Sequence, residues 1–155
     1  MKQDKGNSVT VSNSTFEVTI SIIMTTVAIL ALTIYLPFQS SLNRGKQRRT
    51  MADIRAISQA VEAYHVDFHA YPTGKSTVEE IRKIPEGYME EVPLEDGWRN
   101  KFLYRSNGLT SYTIISFGKD REQDGPSIYQ GAITNFSNDI VFGNGFFISF
   151  PEGLH

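Results

Sequence analysis

The strongest pattern along the chain is an unbroken apolar run. No charged residue stands between Glu17 and Arg44, and Val18 to Phe38 reads VTISIIMTTVAILALTIYLPF. About 21 residues at a helical rise of ~1.5 Å cover roughly 30 Å, the thickness of a bilayer's hydrocarbon core. The run therefore predicts one membrane-crossing helix. A cleaved secretory signal would have a shorter apolar core followed by a small-residue cleavage site, and Leu36-Pro37-Phe38-Gln39 does not supply one. Pro37 need not end such a helix, because neighbouring groups re-satisfy the backbone it frees.

Past this run the period changes. Met51, Ile54, Ile57, Val61, Tyr64 and Phe68 recur at steps of three and four, which marks one apolar face of a helix. Ala52, Ala56, Ala60 and Ala63 add helix propensity. Neither Gly nor Pro interrupts between Lys46 and Ala70, so the helix is expected to reach about Phe68 and stop before Tyr71-Pro72. Ser76-Thr77-Val78-Glu79-Glu80 offers two overlapping capping boxes for a short helix to about Ile84, ended by Pro85. Two β-rich pairs follow. Phe102–Arg105 and Tyr112–Phe117 are joined through Ser106-Asn107-Gly108, and Asp139–Phe142 and Phe146–Phe150 through Asn144-Gly145. The expected fold is α+β: a long N-terminal helix, transmembrane and then amphipathic, packed on a small antiparallel sheet. The corresponding organisation is an N-terminal leader or cytoplasmic tail (1–15), a transmembrane helix (16–43), an amphipathic helix (44–70) and a globular head (71–155).

Composition adds an asymmetry that the average conceals. The chain carries 15 basic and 17 acidic residues for a net charge of −2, too balanced for a basic nucleic-acid binder. Yet Arg44, Lys46, Arg48 and Arg49 form a basic collar just after the apolar run, while the part from Thr50 onward is acidic. Taken alone, the collar votes for a cytoplasmic head. The absence of cysteine excludes disulfides, thiolate metal sites and thiol nucleophiles.

Candidate chemistry is sparse. Glu17 admits two readings. With Ser14 it fits a capping box; alternatively it is an intramembrane acid that pairs with a cation of a neighbouring subunit. His65 and His69 stand four apart, but Val66 occupies the place where a zinc hydrolase needs Glu. No catalytic triad, phosphate loop or dinucleotide fingerprint is present, so an enzyme is not expected. The polar stretch Gly118–Asn138 is long for a loop inside a compact domain. It carries Asp120-Arg121-Glu122-Gln123-Asp124-Gly125, which resembles the first half of a calcium loop but lacks the Glu that closes an EF-hand, the position being Gly131. Either another segment completes an oxygen shell there, or these are solvated charges.

The order of elements resembles the type IV pilin-like superfamily, and within it the major pseudopilins of type II secretion. The resemblance rests on Arg49-Thr50-Met51-Ala52-Asp53-Ile54, Ala60-Val61-Glu62-Ala63-Tyr64, Ala70-Tyr71-Pro72-Thr73, Val92-Pro93, Asp96-Gly97-Trp98, Phe102-Leu103-Tyr104 and Ser111 through Asp120. It implies a structural subunit of a pseudopilus or pilus-like filament, a homo-oligomer whose partners are other copies, other pseudopilins, the inner-membrane secretion platform and the lipid bilayer. It also implies a single-pass protein of the bacterial inner membrane with its head in the periplasm, against the vote of the collar, which would then meet anionic lipid heads on the far leaflet. Calcium is implied as cofactor, with Asp120 as ligand, Asp124 and Asp139 as companions, and the backbone carbonyl near Phe117 as a further donor. Glu17 is implied in filament assembly. Aligning the family's acid with Glu17 places the processing site at Ser12 and Asn13, where the family has Gly before the cut. Arg99 and Lys101 stand where Gly and Pro are usual. These departures keep a second function open: a non-polymerising, membrane-anchored calcium-binding or adaptor protein with a pilin-like fold.

Overall fold

The computed structural model describes residues 8–73, 78, 88–89, 91–125 and 131–153. Helix α1 spans Ser8–Phe68, 61 residues, and continues through Pro37. The chain divides into two compact units, Met1–Ser41 and Leu42–His155.

The described part of the first unit is helix alone, and every side chain from Thr15 to Phe38 is exposed. Such a surface is stable only against lipid or other helices, since bare apolar area of this extent is strongly unfavourable in water. The threonines are compatible with that setting. Thr19, Thr25, Thr26 and Thr33 each donate their hydroxyl to a carbonyl one turn back, which hides the polar group. Because α1 already begins at Ser8, Ser14 is not a helix N-cap, and the capping reading of Glu17 is corrected. Neither Gly nor Pro stands between Ser8 and Ser14 to break a helix.

In the second unit, α1 ends as expected. The amide of His69 bonds the carbonyl of His65, and His69 takes a left-handed φ of 53°, a conformation that ends helices and is usually given to Gly. The predicted stripe is buried at Met51, Ile54, Ile57 and Val61, joined by Ala60. It fades beyond: Tyr64 is half-buried, and Phe68 is exposed and stacks on Tyr64.

The sheet consists of β1 (Leu103–Ser106), β2 (Tyr112–Ser116), β3 (Gly131–Ile133), β4 (Ile140–Gly143) and β5 (Phe146–Pro151), in the order β1-β2-β4-β5-β3. β1 pairs antiparallel with β2, β2 with β4, and β4 with β5. Asn144 and Gly145 both have positive φ, which matches the right-handed twist of β4 and β5 in a two-residue turn. In the other hairpin Asn107 Oδ1 accepts from the amides of Leu109, Thr110 and Ser111. β3 is an addition that periodicity did not reveal. Three residues cannot show an alternation, and the strand exists through parallel pairing with β5. The sheet is therefore mixed rather than wholly antiparallel.

The core unites the α1 stripe with Phe102, Tyr104, Tyr112, Ile114, Ile140 and Phe142. At roughly 25 cal/mol per Å² of apolar surface buried, each such side chain contributes about 1.5–3 kcal/mol. The short helix expected from Ser76 to Ile84 lies outside the described residues apart from Val78, which is buried and donates its amide to the carbonyl of Phe102.

Candidate functional site

Two features of the second unit organise its polar chemistry. The first is the loop Asp96-Gly97-Trp98-Arg99-Asn100, seated on α1. Gly97 is required by proximity: a Cβ there would lie 2.5 Å from the carbonyl oxygen of Lys46. Its amide donates to Thr50 Oγ1 at 2.9 Å, and Trp98 Nε1 donates to Asn43 Oδ1 at 3.3 Å. Asp96 is 2% exposed, yet its carboxylate is fully engaged. Oδ1 accepts from the amides of Trp98 and Asn100, and Oδ2 from Asn100 Nδ2 and Ser116 Oγ. A buried carboxylate is tolerable when its lone pairs are met in this way. Arg99 occupies the left-handed region with φ of 68°, the conformation for which Gly is the usual residue.

The second feature adjoins the first. Asn100 Nδ2 also donates to the carbonyl of Gly118, at the end of β2. Gly118 has φ of 63°, and a Cβ on it would meet the carbonyl oxygens of Phe136, Ser137 and Asn138 at 2.9, 2.7 and 2.8 Å. Three consecutive carbonyls are thus turned toward one point. Nearby, Asp124 and Asp139 are clamped together: each backbone amide donates to the other's Oδ2. Ser149 Oγ donates to the carbonyl of Asp139 and ties the pair to β5. Asp139 is 3% exposed, and its Oδ1 is buried with no hydrogen-bond partner. Burial pushes its carboxyl up to about 6; the amide of Asp124 works against this, while the charges of Asp124 and Asp120 add to it.

Of the predicted ligands, Asp124 and Asp139 come together. Asp120 is near enough to act on Asp139 electrostatically, but its Oδ1 is taken up by the amide of Glu122. Phe117 directly follows β2, beside Gly118. Among the described residues no group of three His, Asp or Glu side chains gathers as a metal site, the His65 and His69 pair included. The orphaned oxygen of Asp139 and an all-oxygen donor set fit a hard divalent cation, provided that carbonyls complete the shell. The carbonyls of Phe136, Ser137 and Asn138 carry no signal in the sequence, since any residue has one. Ser12 and Asn13 lie in α1, where no side chain is described. Glu17 is exposed on the first unit.

A long helix, apolar in its first part and amphipathic in its second, with a small mixed sheet on the latter, is the architecture of the pilin-like proteins. The chain belongs to the type II secretion system protein G family, whose model matches residues 38–135. It is 26% identical over 118 residues to the type II secretion system core protein G of Pseudomonas aeruginosa, covering 68% of this chain and 82% of that one. It is 24% identical over 115 residues to the core protein G of Escherichia coli K12, covering 66% and 79%. Among solved structures, the major pseudopilin from the type 2 secretion system of enterohaemorrhagic Escherichia coli aligns with 20% identity and a TM-score of 0.44, covering 68% of this chain and 91% of that chain.

Proposed function

We propose that this chain works as a membrane-anchored building block of the secretion pseudopilus, with its head on the periplasmic side. Family membership makes it a structural pseudopilin that assembles with other pseudopilins, and its apolar helix anchors it in the membrane. One observation carries the finer reading. The first unit offers a fully exposed apolar helix from Thr15 to Phe38, while the second unit already has its own core. The helix is thus available for lipid when the subunit is stored and for neighbouring helices when it is assembled. Glu17 stands at the start of this surface, where a carboxylate among packed helices needs a cationic partner. The secretion platform of the inner membrane is the partner that would draw the subunit from one state to the other. The work is mechanical, and none of it requires catalysis.

A calcium ion would be held by Asp124 and Asp139, with Asp120 and the carbonyl of Phe117 as further donors. When bound, it would neutralise the clustered carboxylates and fix the loop after β2 to β5. The residues themselves do the rest: the reciprocal amide contacts pre-position both carboxylates, and the lack of a side chain at Gly118 leaves room for the carbonyls of Phe136, Ser137 and Asn138.

The test uses the chain's lack of cysteine. Single cysteines introduced from Ile20 to Leu36 should cross-link between copies in the presence of the other secretion components. A series that never cross-links, in a chain that still floats with membranes and keeps a calcium-dependent melting point, would establish the non-polymerising adaptor instead. That alternative draws on Ser12, which stands where the family has Gly before the cut.

A further inference from the structure

Arg44 and Arg48 stand one turn apart on α1 and line a cavity of about 250 Å³ together with Gln47. Its other wall includes Thr134 and Phe136, which follow β3, and Glu152, which follows β5. Both arginines are exposed, and neither forms an ion pair with Glu152 or another described carboxylate. Arg44 lies only six positions after Phe38, where the apolar run ends. Four basic residues immediately after a membrane span oppose export of the downstream head, so a counter-anion at this level offsets a real cost.

We propose that this cavity binds the headgroup of a membrane phospholipid that carries a primary ammonium. The proposal rests on the membrane-anchored reading of the first unit. The charge pattern selects the ligand. Two guanidiniums supply planar donor forks suited to a phosphodiester, with the Thr134 hydroxyl as a further donor. A purely anionic headgroup would leave the Glu152 carboxylate facing like charge in the same cavity. A phosphate followed by an ammonium meets both signs: phosphate on Arg44 and Arg48, ammonium on Glu152. A trimethylated ammonium has the charge but no N–H to donate, so it fits less well.

The test uses the full chain in neutral maltoside micelles, followed by the amide resonances of Thr134 and Gly153. Dihexanoyl phosphatidylethanolamine should saturate their shifts at about tenfold lower concentration than dihexanoyl phosphatidylcholine, a single charge-assisted hydrogen bond being enough for that ratio. The double variant R44Q/R48Q should lose saturation by both lipids, and E152Q should bring the ethanolamine lipid down to the level of the choline one. Equal affinity for the two lipids in the unmodified chain would overturn the proposal. So would tighter binding of dihexanoyl phosphatidylglycerol, or free phosphorylethanolamine binding as tightly as the lipid. Flotation with phosphatidylcholine vesicles separates the headgroup site from the anchor. A chain that floats but shows no preference refutes the headgroup site alone, whereas a chain that does not float refutes the anchor.

Discussion

Asp124 and Asp139 hold each other's carboxylates through their own backbone amides: Asp124 N–H donates to Asp139 Oδ2 at 3.1 Å, and Asp139 N–H donates to Asp124 Oδ2 at 2.8 Å. Fifteen positions separate them in the chain, so the contact closes the long loop after β2 onto β4. It also leaves Asp139 Oδ1 buried and unmet, a need that a cation would answer.

Calcium should therefore raise the melting point of the full chain in mild detergent relative to chelator. Asp139→Ala and Asp124→Ala should each abolish the difference, and Asp120→Ala should abolish or strongly reduce it. Differential scanning fluorimetry with and without calcium checks this. An unmodified chain that melts at the same temperature in both conditions would dispose of the site.

The pH response without metal comes from the same atom. In the folded chain the Asp139 carboxyl titrates at about 6, against 3.8 ordinarily. Between those values the folded state holds more protons than the unfolded one, so this group's contribution to stability falls as pH rises through about 4 to 6 and levels off above. The change is on the order of 3 kcal/mol. In chelator, the melting point of the unmodified chain should decline over that window relative to Asp139→Asn, which has no proton to lose. With saturating calcium the sign reverses, because metal and proton compete for one carboxylate. Parallel pH profiles for the two proteins in chelator would refute the assignment.

Gly97 should tolerate no side chain. A methyl group 2.5 Å from the Lys46 carbonyl oxygen meets backbone, not a movable side chain. Gly97→Ala is expected to cost about 2–4 kcal/mol, as overpacking and backbone displacement do. Urea unfolding followed by the fluorescence of Trp98, the only tryptophan of the chain, measures it. Arg99→Gly is expected to act oppositely, stabilising by ~1 kcal/mol, because it relieves a left-handed φ of 68°.

Asp96→Ala should be among the most damaging substitutions in the head. It strands the amides of Trp98 and Asn100 and the hydroxyl of Ser116 in a buried setting. The loss expected is ~3–5 kcal/mol, with a lowered urea midpoint and faster amide exchange at Trp98 and Asn100. Retention of the unmodified midpoint would show that the network is not needed.

The reach of each signal set how much could be read from the chain. The helix was legible because its periods of three and four are local, and so was its exposed apolar first part, which depends on length and apolarity alone. The β4–β5 turn was legible too, since Asn144-Gly145 is chemically suited to two consecutive positive φ values. Ser14 misled as a cap because a capping motif states only that a helix could start there. Phe68 misled as core because periodicity says which face is apolar, not how far its cover extends.

By itself, then, the sequence determined a helix long and apolar enough to cross a membrane, its amphipathic continuation, two hairpins and an acidic loop, all features encoded within a few neighbouring residues. The tertiary structure decided what those pieces meet. It added β3, whose three residues form a strand only against β5. It seated Asp96-Gly97-Trp98 on Thr50 and Asn43, brought Asp139 to Asp124, and placed Arg44 and Arg48 in one cavity with Glu152. Each of these contacts joins distant parts of the chain. Close packing settles whether such groups meet, and no local pattern records it.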